Sequence, residues 1–122
     1  MIKQVKFASI PVRDQSRALA FYTEKLGFET VTDQPFGDGR RWIEVRPPGA
    51  ETKVVLFTSD GQEDRIGTFS NVAFGTDDVR KTYDELKARG VEFSTPPTEQ
   101  PWGVYAQFVD SEGNQFVLSS ES

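Results

Sequence analysis

Hydrophobic and polar positions along the chain follow one pattern that occurs twice. In the first half a strand-like run, Val5–Val12, leads to Asp14, and an amphipathic stretch from Gln15 to Leu26 stops at Gly27. Apolar side chains in that stretch recur at helical spacing. Asp14 suits the helix start because its carboxylate can accept orphan amide hydrogens, and Gly27 suits the left-handed backbone that ends a helix. These signals predict a strand and then a helix over residues 15–26.

The same signals recur in the second half at a constant offset. Asp77 lies 63 positions after Asp14, and Gly90 lies 63 positions after Gly27. The pattern predicts a strand over Asn71–Thr76, a cap at Asp77 and a helix over Asp78–Arg89. Agreement at the cap, the helix length and the stop indicates an internal repeat.

Three strand-like runs follow each helix. In the first copy they are Phe28–Thr32, Arg41–Arg46 and Lys53–Thr58; in the second they are Val91–Ser94, Val104–Val109 and Gln115–Ser119. Prolines predict a loop over residues 95–103, because no central strand could contain them. The chain is therefore expected to be a single α+β domain, 1–122, of two βαβββ modules: module one about 4–58, a polar linker 59–69, and module two about 70–120. Neither module alone would close a useful core, so the two should pack together or against another chain.

Alternation along the strands sorts the side chains into two sheet faces. The face under the helices is expected to carry Val55, Phe57, Val72, Phe74, Phe108, Phe116 and Leu118. The other face mixes aromatic rings with amides, hydroxyls and one carboxylate, as is typical of a small-molecule pocket. Its predicted members are Phe7, Ser9, Trp42, Glu44, Val54, Leu56, Thr58, Asn71, Ala73, Tyr105, Gln107, Val117 and Ser119. Packing against a partner subunit would explain the same mixture.

Composition removes several classes of function. The 122 residues include no His and no Cys, which excludes zinc sites built from those residues, Ser-His-Asp triads, Cys nucleophiles and disulfides. A net charge of −5 disfavours nucleic acid as a partner. No apolar run is long enough to span a membrane, and the first residues lack the apolar region of a signal peptide. We therefore expect no membrane association and a cytoplasmic location.

Two segments resemble the glyoxalase/bleomycin resistance protein/dioxygenase family, the vicinal oxygen chelate superfamily. The opening of the chain, Ser9–Asp14, Arg17–Tyr22 and Leu26–Phe28, resembles the start of these proteins. Asp110–Phe116 resembles their closing Asp-Pro-Asp-Gly-Asn turn, with Ser and Glu substituted. The resemblance covers nearly the whole chain and implies paired βαβββ modules, an incompletely closed mixed or antiparallel barrel around a pocket, and a homodimer.

The metal-dependent members of that superfamily bind a divalent ion through one side chain from each of four strands. The resemblance places these positions at Phe7, Leu56 (or Val54), Asn71 and Val117. Only Asn71 offers an oxygen, whereas a hard divalent cation needs carboxylates or several oxygens. We therefore expect no metal and no cofactor. A weak oxygen site around Glu44 is the alternative.

Three functions are compatible with these residues. The first is a metal-free, bleomycin-resistance-like protein that sequesters an unknown aromatic or cationic compound in a dimer groove. Rings would stack on the compound and Glu44 would pair with a cation. The expected ligand-binding residues are Phe7, Ser9, Trp42, Glu44, Leu56, Asn71, Trp102, Tyr105, Gln107 and Val117, with Phe36 as a further stacking ring.

The second function is a lyase, isomerase or dioxygenase of the same superfamily with a non-standard active site. Without His, its catalytic base would be Glu44 or Tyr105. The third is a non-catalytic dimer whose concave face serves a protein partner.

Overall fold

The structure, a computed structural model, describes residues 1–120 and consists of two compact units. The first unit is Met1–Ile66, and the second begins at Gly67. The division falls inside the segment predicted as the linker.

The first unit is a four-stranded sheet with one helical segment. Its strands are β1 (Phe7–Ile10), β2 (Glu29–Pro35), β3 (Arg41–Arg46) and β4 (Lys53–Leu56); α1 (Gln15–Ala20) continues as a π-helical turn (Phe21–Lys25), and a short 3₁₀ turn (Glu63–Arg65) follows β4. The strand order is β1-β4-β3-β2. β1 is parallel to β4, and the other neighbours are antiparallel.

The second unit repeats this plan. It contains β5 (Phe69–Gly75), α2 (Val79–Ala88), β6 (Glu92–Gln100), β7 (Gly103–Val109) and β8 (Gln115–Ser120). The order is β5-β8-β7-β6, with β5 parallel to β8 and the remaining pairs antiparallel. Each unit is a mixed sheet whose first strand is followed in the chain by a helix, which confirms the predicted α+β class.

The two helices begin at different points of the repeat but are followed by a glycine at the same point. Asp14 accepts from the Arg17 amide at 3.0 Å, as predicted. The cap predicted at Asp77 is wrong, because the Asp78 carboxylate accepts from the Lys81 amide at 3.1 Å. The cap therefore lies one residue closer to its terminal glycine in the second helix than in the first.

The π-helical turn absorbs that extra residue. Gly27 (φ 77°) and Gly90 (φ 91°) both end their helices in the left-handed conformation. In the first helix the Leu26 amide bonds to the carbonyl of Phe21, five residues back, at 3.2 Å. A π turn holds one more residue than an α turn. Both helices can therefore end at the same point of the repeat.

β6 corrects the predicted loop over residues 95–103. The strand continues through Pro96 and Pro97 to Gln100, and only Pro101–Trp102 form a turn. β6 lies at the sheet edge, which is the position in a sheet where proline is tolerated. The register shifts twice along the β6–β7 pair, which accommodates the prolines.

The sides predicted for β4 are wrong. Val55 pairs with Glu44, so it shares the face of that carboxylate. Leu56 pairs with the fully buried Ile10, and by alternation it lies on the opposite face together with Val54. The run Val54–Phe57 is buried on both faces, which removes the polar alternation that a sequence pattern needs.

The sides predicted for the second sheet agree with its strand pairing. Phe74, Phe108 and Phe116 form ring contacts with centroids 5.4 to 6.0 Å apart. Tyr105 pairs with Ser119 and Gln107 with Val117, and these four residues alternate with the buried ones. Strict alternation therefore identified this face correctly.

Candidate functional site

Four aromatic rings of the first unit form a connected group, which we call the aromatic cluster: Phe7, Phe36, Trp42 and Phe57. Trp42 lies at its centre, with ring centroids 5.5 Å from Phe7, 5.5 Å from Phe36 and 5.4 Å from Phe57. Phe36 and Phe57 also meet edge to face at 5.0 Å. These separations are those of attractive aromatic pairs.

Strand alternation brings the cluster and its polar neighbours to one face of the sheet. Trp42 and Glu44 are two residues apart on β3, as Phe7 and Ser9 are on β1. Ser9 pairs with Val55, and Val55 pairs with Glu44. The predicted residues of the first unit, Leu56 excepted, therefore share one face.

Glu44 lies almost buried beside Trp42, with 9% of the residue exposed. Its Oε2 accepts a hydrogen bond from Trp42 Nε1 at 3.3 Å. Its Oε1 lies 4.0 Å from Lys53 Nζ. A buried carboxylate is costly unless it is paired and hydrogen-bonded, and these two neighbours meet both needs.

Arg40 stands at the other end of the cluster. Its guanidinium carbon is 5.2 Å from the centroid of the Phe57 ring, within cation–π range. The same guanidinium forms ion pairs with Asp60 at 3.3 Å and Asp38 at 4.0 Å, whose carboxylates are almost fully exposed. The aromatic surface is thus bordered by an ion pair at each end, Lys53 with Glu44 at one and Arg40 with Asp60 and Asp38 at the other.

The remaining predicted residues lie in the second unit. Tyr105, Gln107 and Val117 share the face away from the helix. The exposed ring of Trp102 lies 6.1 Å from that of Tyr105. Asn71 has a positive φ of 62° where the register between β5 and β8 shifts, so the third metal position that the family resemblance implies falls at an irregularity of the strand.

The structure separates Leu56 from the other predicted site residues. It faces the helix side of its sheet, and so does the alternative Val54. Residues that the sequence prediction missed take their place: Val55 and Phe57, with Lys53 and Arg40 as the charged neighbours. Arg40 precedes Trp42 by two positions, so period-2 spacing was the available signal for it.

A shallow depression of about 470 Å³ lies by the β2–β3 hairpin and is lined by Asp33, Pro35, Gly37, Gly39, Arg40 and Arg41. Asp33 pairs with Ile43, on the side of the sheet away from Trp42. Two hydrogen bonds, at 3.0 and 2.6 Å, join the Asp33 carboxylate to the Arg41 guanidinium. The hydrogen bond lowers the pKa of Asp33 and raises the pKa of Arg41. Because these two charges already satisfy each other, the depression is a weaker candidate than the aromatic cluster.

Among residues 1–120, no group of three or more carboxylates is close enough together to hold a metal ion. No helix in that part of the chain combines the length and apolar character needed to cross a membrane.

Comparisons with known proteins agree with this architecture. Residues 3–118 match the model of the Glyoxalase/Bleomycin resistance protein/Dioxygenase superfamily. YetH, an uncharacterized protein of Bacillus subtilis (strain 168), is 38% identical over 118 residues, 97% of this chain and 98% of its own length.

Two solved structures are similar over almost the full length. A member of the same superfamily from Sphaerobacter thermophilus DSM 20745 is 40% identical, with a TM-score of 0.89 and 98% of both chains covered. TnmS3, an antibiotic binding protein from Streptomyces sp. CB03234, is 37% identical, with a TM-score of 0.87, 99% of this chain and 98% of TnmS3 covered. The chain belongs to the Glyoxalase/Bleomycin resistance protein/Dioxygenase superfamily.

Proposed function

We propose that this chain binds a planar aromatic small molecule at the aromatic cluster and does so without a metal ion. One observation carries the proposal: Trp42 lies among three other rings on the sheet face away from the helix. Two of them, Phe7 and Phe36, are 36% and 51% exposed. Exposed apolar side chains that adjoin one another mark binding surfaces, whereas single ones do not.

Physical chemistry favours a planar ligand at such a surface. A flat ring that covers Phe7 and Phe36 would remove apolar area from water and add stacked or edge-to-face contacts. Trp42 is held by its hydrogen bond to Glu44, so little side-chain freedom remains to be lost on binding. Pre-ordered rings raise affinity for a flat partner.

The residues at the superfamily's metal positions do not fit a metal. Phe7, Val117 and either Leu56 or Val54 carry only hydrocarbon, and the amide of Asn71 is a weak neutral ligand. Hydrocarbon side chains cannot replace the water that a divalent ion would lose. The proposal therefore uses no metal-dependent step.

Glu44 acts in this proposal as a positioning residue. One of its oxygens accepts from the Trp42 indole and the other lies near Lys53. A general base needs an oxygen directed at its substrate, and both oxygens of Glu44 already have neighbours. Its role is to hold the indole ring in place.

The similarity to TnmS3 supports a binding function. That protein is an antibiotic binding protein, and the similarity extends over 99% of this chain. We also propose a homodimer, as the family resemblance implies. Light scattering should then give twice the 13.7 kDa mass of one chain, and the monomer mass would contradict the dimer.

The proposal is tested by thermal denaturation with uncharged planar compounds of two to four fused rings. A compound at about 100 times its Kd stabilises the protein by roughly 2.7 kcal/mol, a shift of several degrees in Tm. Trp42→Ala should abolish this shift. Phe69→Ala, which removes an exposed ring of the second unit, should preserve it. Failure of every compound to raise Tm, or equal shifts in both variants, would contradict the proposal.

A further inference from the structure

We infer that the aromatic cluster selects uncharged ligands over cationic ones, because Lys53 and Arg40 occupy the two places where a cation would be recognised. This inference rests on the proposed function and names the charge class of its ligand. It assigns charge selection to residues that would not themselves stack on the ligand.

The first place is the carboxylate of Glu44. A ligand cation near Trp42 would need a negative group, and Glu44 is the acidic residue that contacts the indole. Lys53 Nζ already lies 4.0 Å from its Oε1. Both side chains are largely shielded from water, with 24% of the lysine side chain and 11% of the glutamate side chain exposed. Charges in such surroundings interact more strongly than charges in bulk water.

The second place is the face of the Phe57 ring. Cations bind over aromatic faces, and the Arg40 guanidinium already lies 5.2 Å from this ring's centroid. The Phe57 ring also packs against the rings of Phe36 and Trp42. Arg40, Phe36 and Trp42 thus surround a residue that is only 7% exposed.

A cationic ligand would therefore find both positions taken by cations of the protein, each with its own counter-charge. Lys53 pairs with Glu44, and Arg40 pairs with Asp60 and Asp38 on the side exposed to solvent. Displacing Lys53 would separate a shielded ion pair, and binding beside it would place like charges together. An uncharged ring meets neither cost. The net charge of −5 acts at longer range, where salt screens it, and so affects the approach of a cation more than its place in the site.

The experiment compares two probes with the same ring, 2-naphthalenemethanol and 2-naphthylmethylammonium, by isothermal titration calorimetry on the full-length protein. The wild type should bind the alcohol about tenfold more tightly than the ammonium compound. Lys53→Met should strengthen ammonium binding about tenfold, because Glu44 loses its counter-charge, while alcohol binding stays within about twofold. Lys53→Arg retains the charge and should behave like the wild type.

Two further variants test whether the change in ammonium binding comes from the local pair of Glu44 and Lys53 or from the overall charge of the protein. Lys3→Met removes the same charge from an exposed position and should leave both affinities unchanged. The double variant Glu44→Gln/Lys53→Met removes both charges, so it should lose the gain in ammonium binding. It also provides the comparison if an unpaired Glu44 prevents the single variant from folding.

The two proposals fail in different ways. Equal wild-type affinity for the two probes, or equal changes for both probes in Lys53→Met, would overturn the charge selection and leave the binding function intact. Failure of both probes to bind would overturn the binding function and the charge selection together.

Discussion

The first unit carries four aromatic rings and an ion pair on the sheet face away from its helix, whereas the second carries smaller and more polar residues there. In the first unit the face is built around Trp42, with Glu44 and Lys53 beside it. In the second it presents Ala73, Tyr105, Gln107, Val117 and Ser119. Both sheets have the same strand order and the same parallel pair. The comparison shows that two sheets with the same strand order can carry different residues on the face away from the helix, and that the larger aromatic surface belongs to the first unit.

The first helix holds an extra residue in its π turn, whereas α2 has none. Single-residue deletions in the two helices should therefore change the free energy of unfolding by very different amounts, and this is the largest difference we expect. Removing Asp84 from α2 would rotate Leu86, which is 7% exposed, by about 100° relative to Val79. We expect a loss of more than about 4 kcal/mol, comparable to losing a buried leucine. Removing the exposed Glu24 should convert the π turn into an α turn and cost only about 1 kcal/mol.

Urea unfolding followed by circular dichroism measures both deletions. The wild-type chain provides the reference for each. Equal losses for the two deletions would show that the π turn does not absorb an extra residue.

Substitutions in the turns before β4 and β8 should also differ strongly in their effect on the free energy of unfolding. Asn114 is 1% exposed; its Oδ1 accepts from the Gly67 amide at 2.8 Å, and its Nδ2 donates to Asp110 at 3.1 Å. Asn114→Ala should cost about 3 kcal/mol, because it leaves buried groups unsatisfied. Glu51→Ala, in the turn before β4, is exposed and should change stability by less than about 0.5 kcal/mol. Chemical denaturation gives both values, and a small effect at Asn114 would contradict the contrast.

Removing the capping carboxylate should destabilise both helices by about the same amount. Asp14→Ala and Asp78→Ala should each cost about 1 kcal/mol, because each removes an acceptor from the first turn of its helix. Asp77→Ala should cost less than about 0.5 kcal/mol. Thermal unfolding of the three variants measures this order. A larger loss of stability for Asp77→Ala than for Asp78→Ala would show that Asp77 caps the helix, as the repeat predicted.

The smallest change in stability that we expect comes from the ion pair between Asp33 and Arg41, and it depends on pH. Hydrogen bonding to Arg41 lowers the pKa of Asp33 from its usual 3.8. A carboxyl with a lowered folded-state pKa stabilises the fold above its unfolded pKa, and the contribution disappears as pH falls through the folded pKa. Asp33→Asn should therefore cost about 0.5 kcal/mol at pH 7 and progressively less below about pH 3.8.

The matched pair in the second unit is Arg80 with Glu99, 4.0 Å apart and well exposed. Glu99→Gln should leave stability unchanged at either pH. Stability curves at pH 7 and pH 3 measure both variants. A pH-independent loss for Asp33→Asn would contradict the role of its charge.

The predictability of the two sheets follows from their patterns of burial. β8 alternates buried Phe116 and Leu118 with less buried Val117 and Ser119, so its faces could be assigned from the sequence. β4 is apolar at Val54, Val55 and Leu56 and buried on both sides, so only its pairing with β1 and β3 shows which side chains share a face. The βαβββ repeat was predictable because Gly27 and Gly90 end the helices as expected and an Asp precedes each helix, although the second cap lies one residue later than predicted.

The site was predictable in part for the same reason. Trp42 and Glu44 were placed on one face by their two-residue spacing in β3, where Ile43, Glu44, Val45 and Arg46 alternate between apolar and charged residues. Lys53 and Phe57 were missed because their place depends on the register of β4. The π turn of the first helix was not predicted, because it has no sequence signal of its own. Its consequence for the repeat is that the second helix is capped at Asp78 and not at Asp77.

The most direct test of the account uses the two indole N–H groups, since the chain contains one tryptophan in each unit. In a ¹H–¹⁵N spectrum, titration with 2-naphthalenemethanol should shift the indole signal of Trp42 saturably, because the ring covers the cluster around it. A Trp42→Phe variant assigns the signal. If the Trp42 signal stays in place at saturating probe, the aromatic cluster of the first unit is not the binding site.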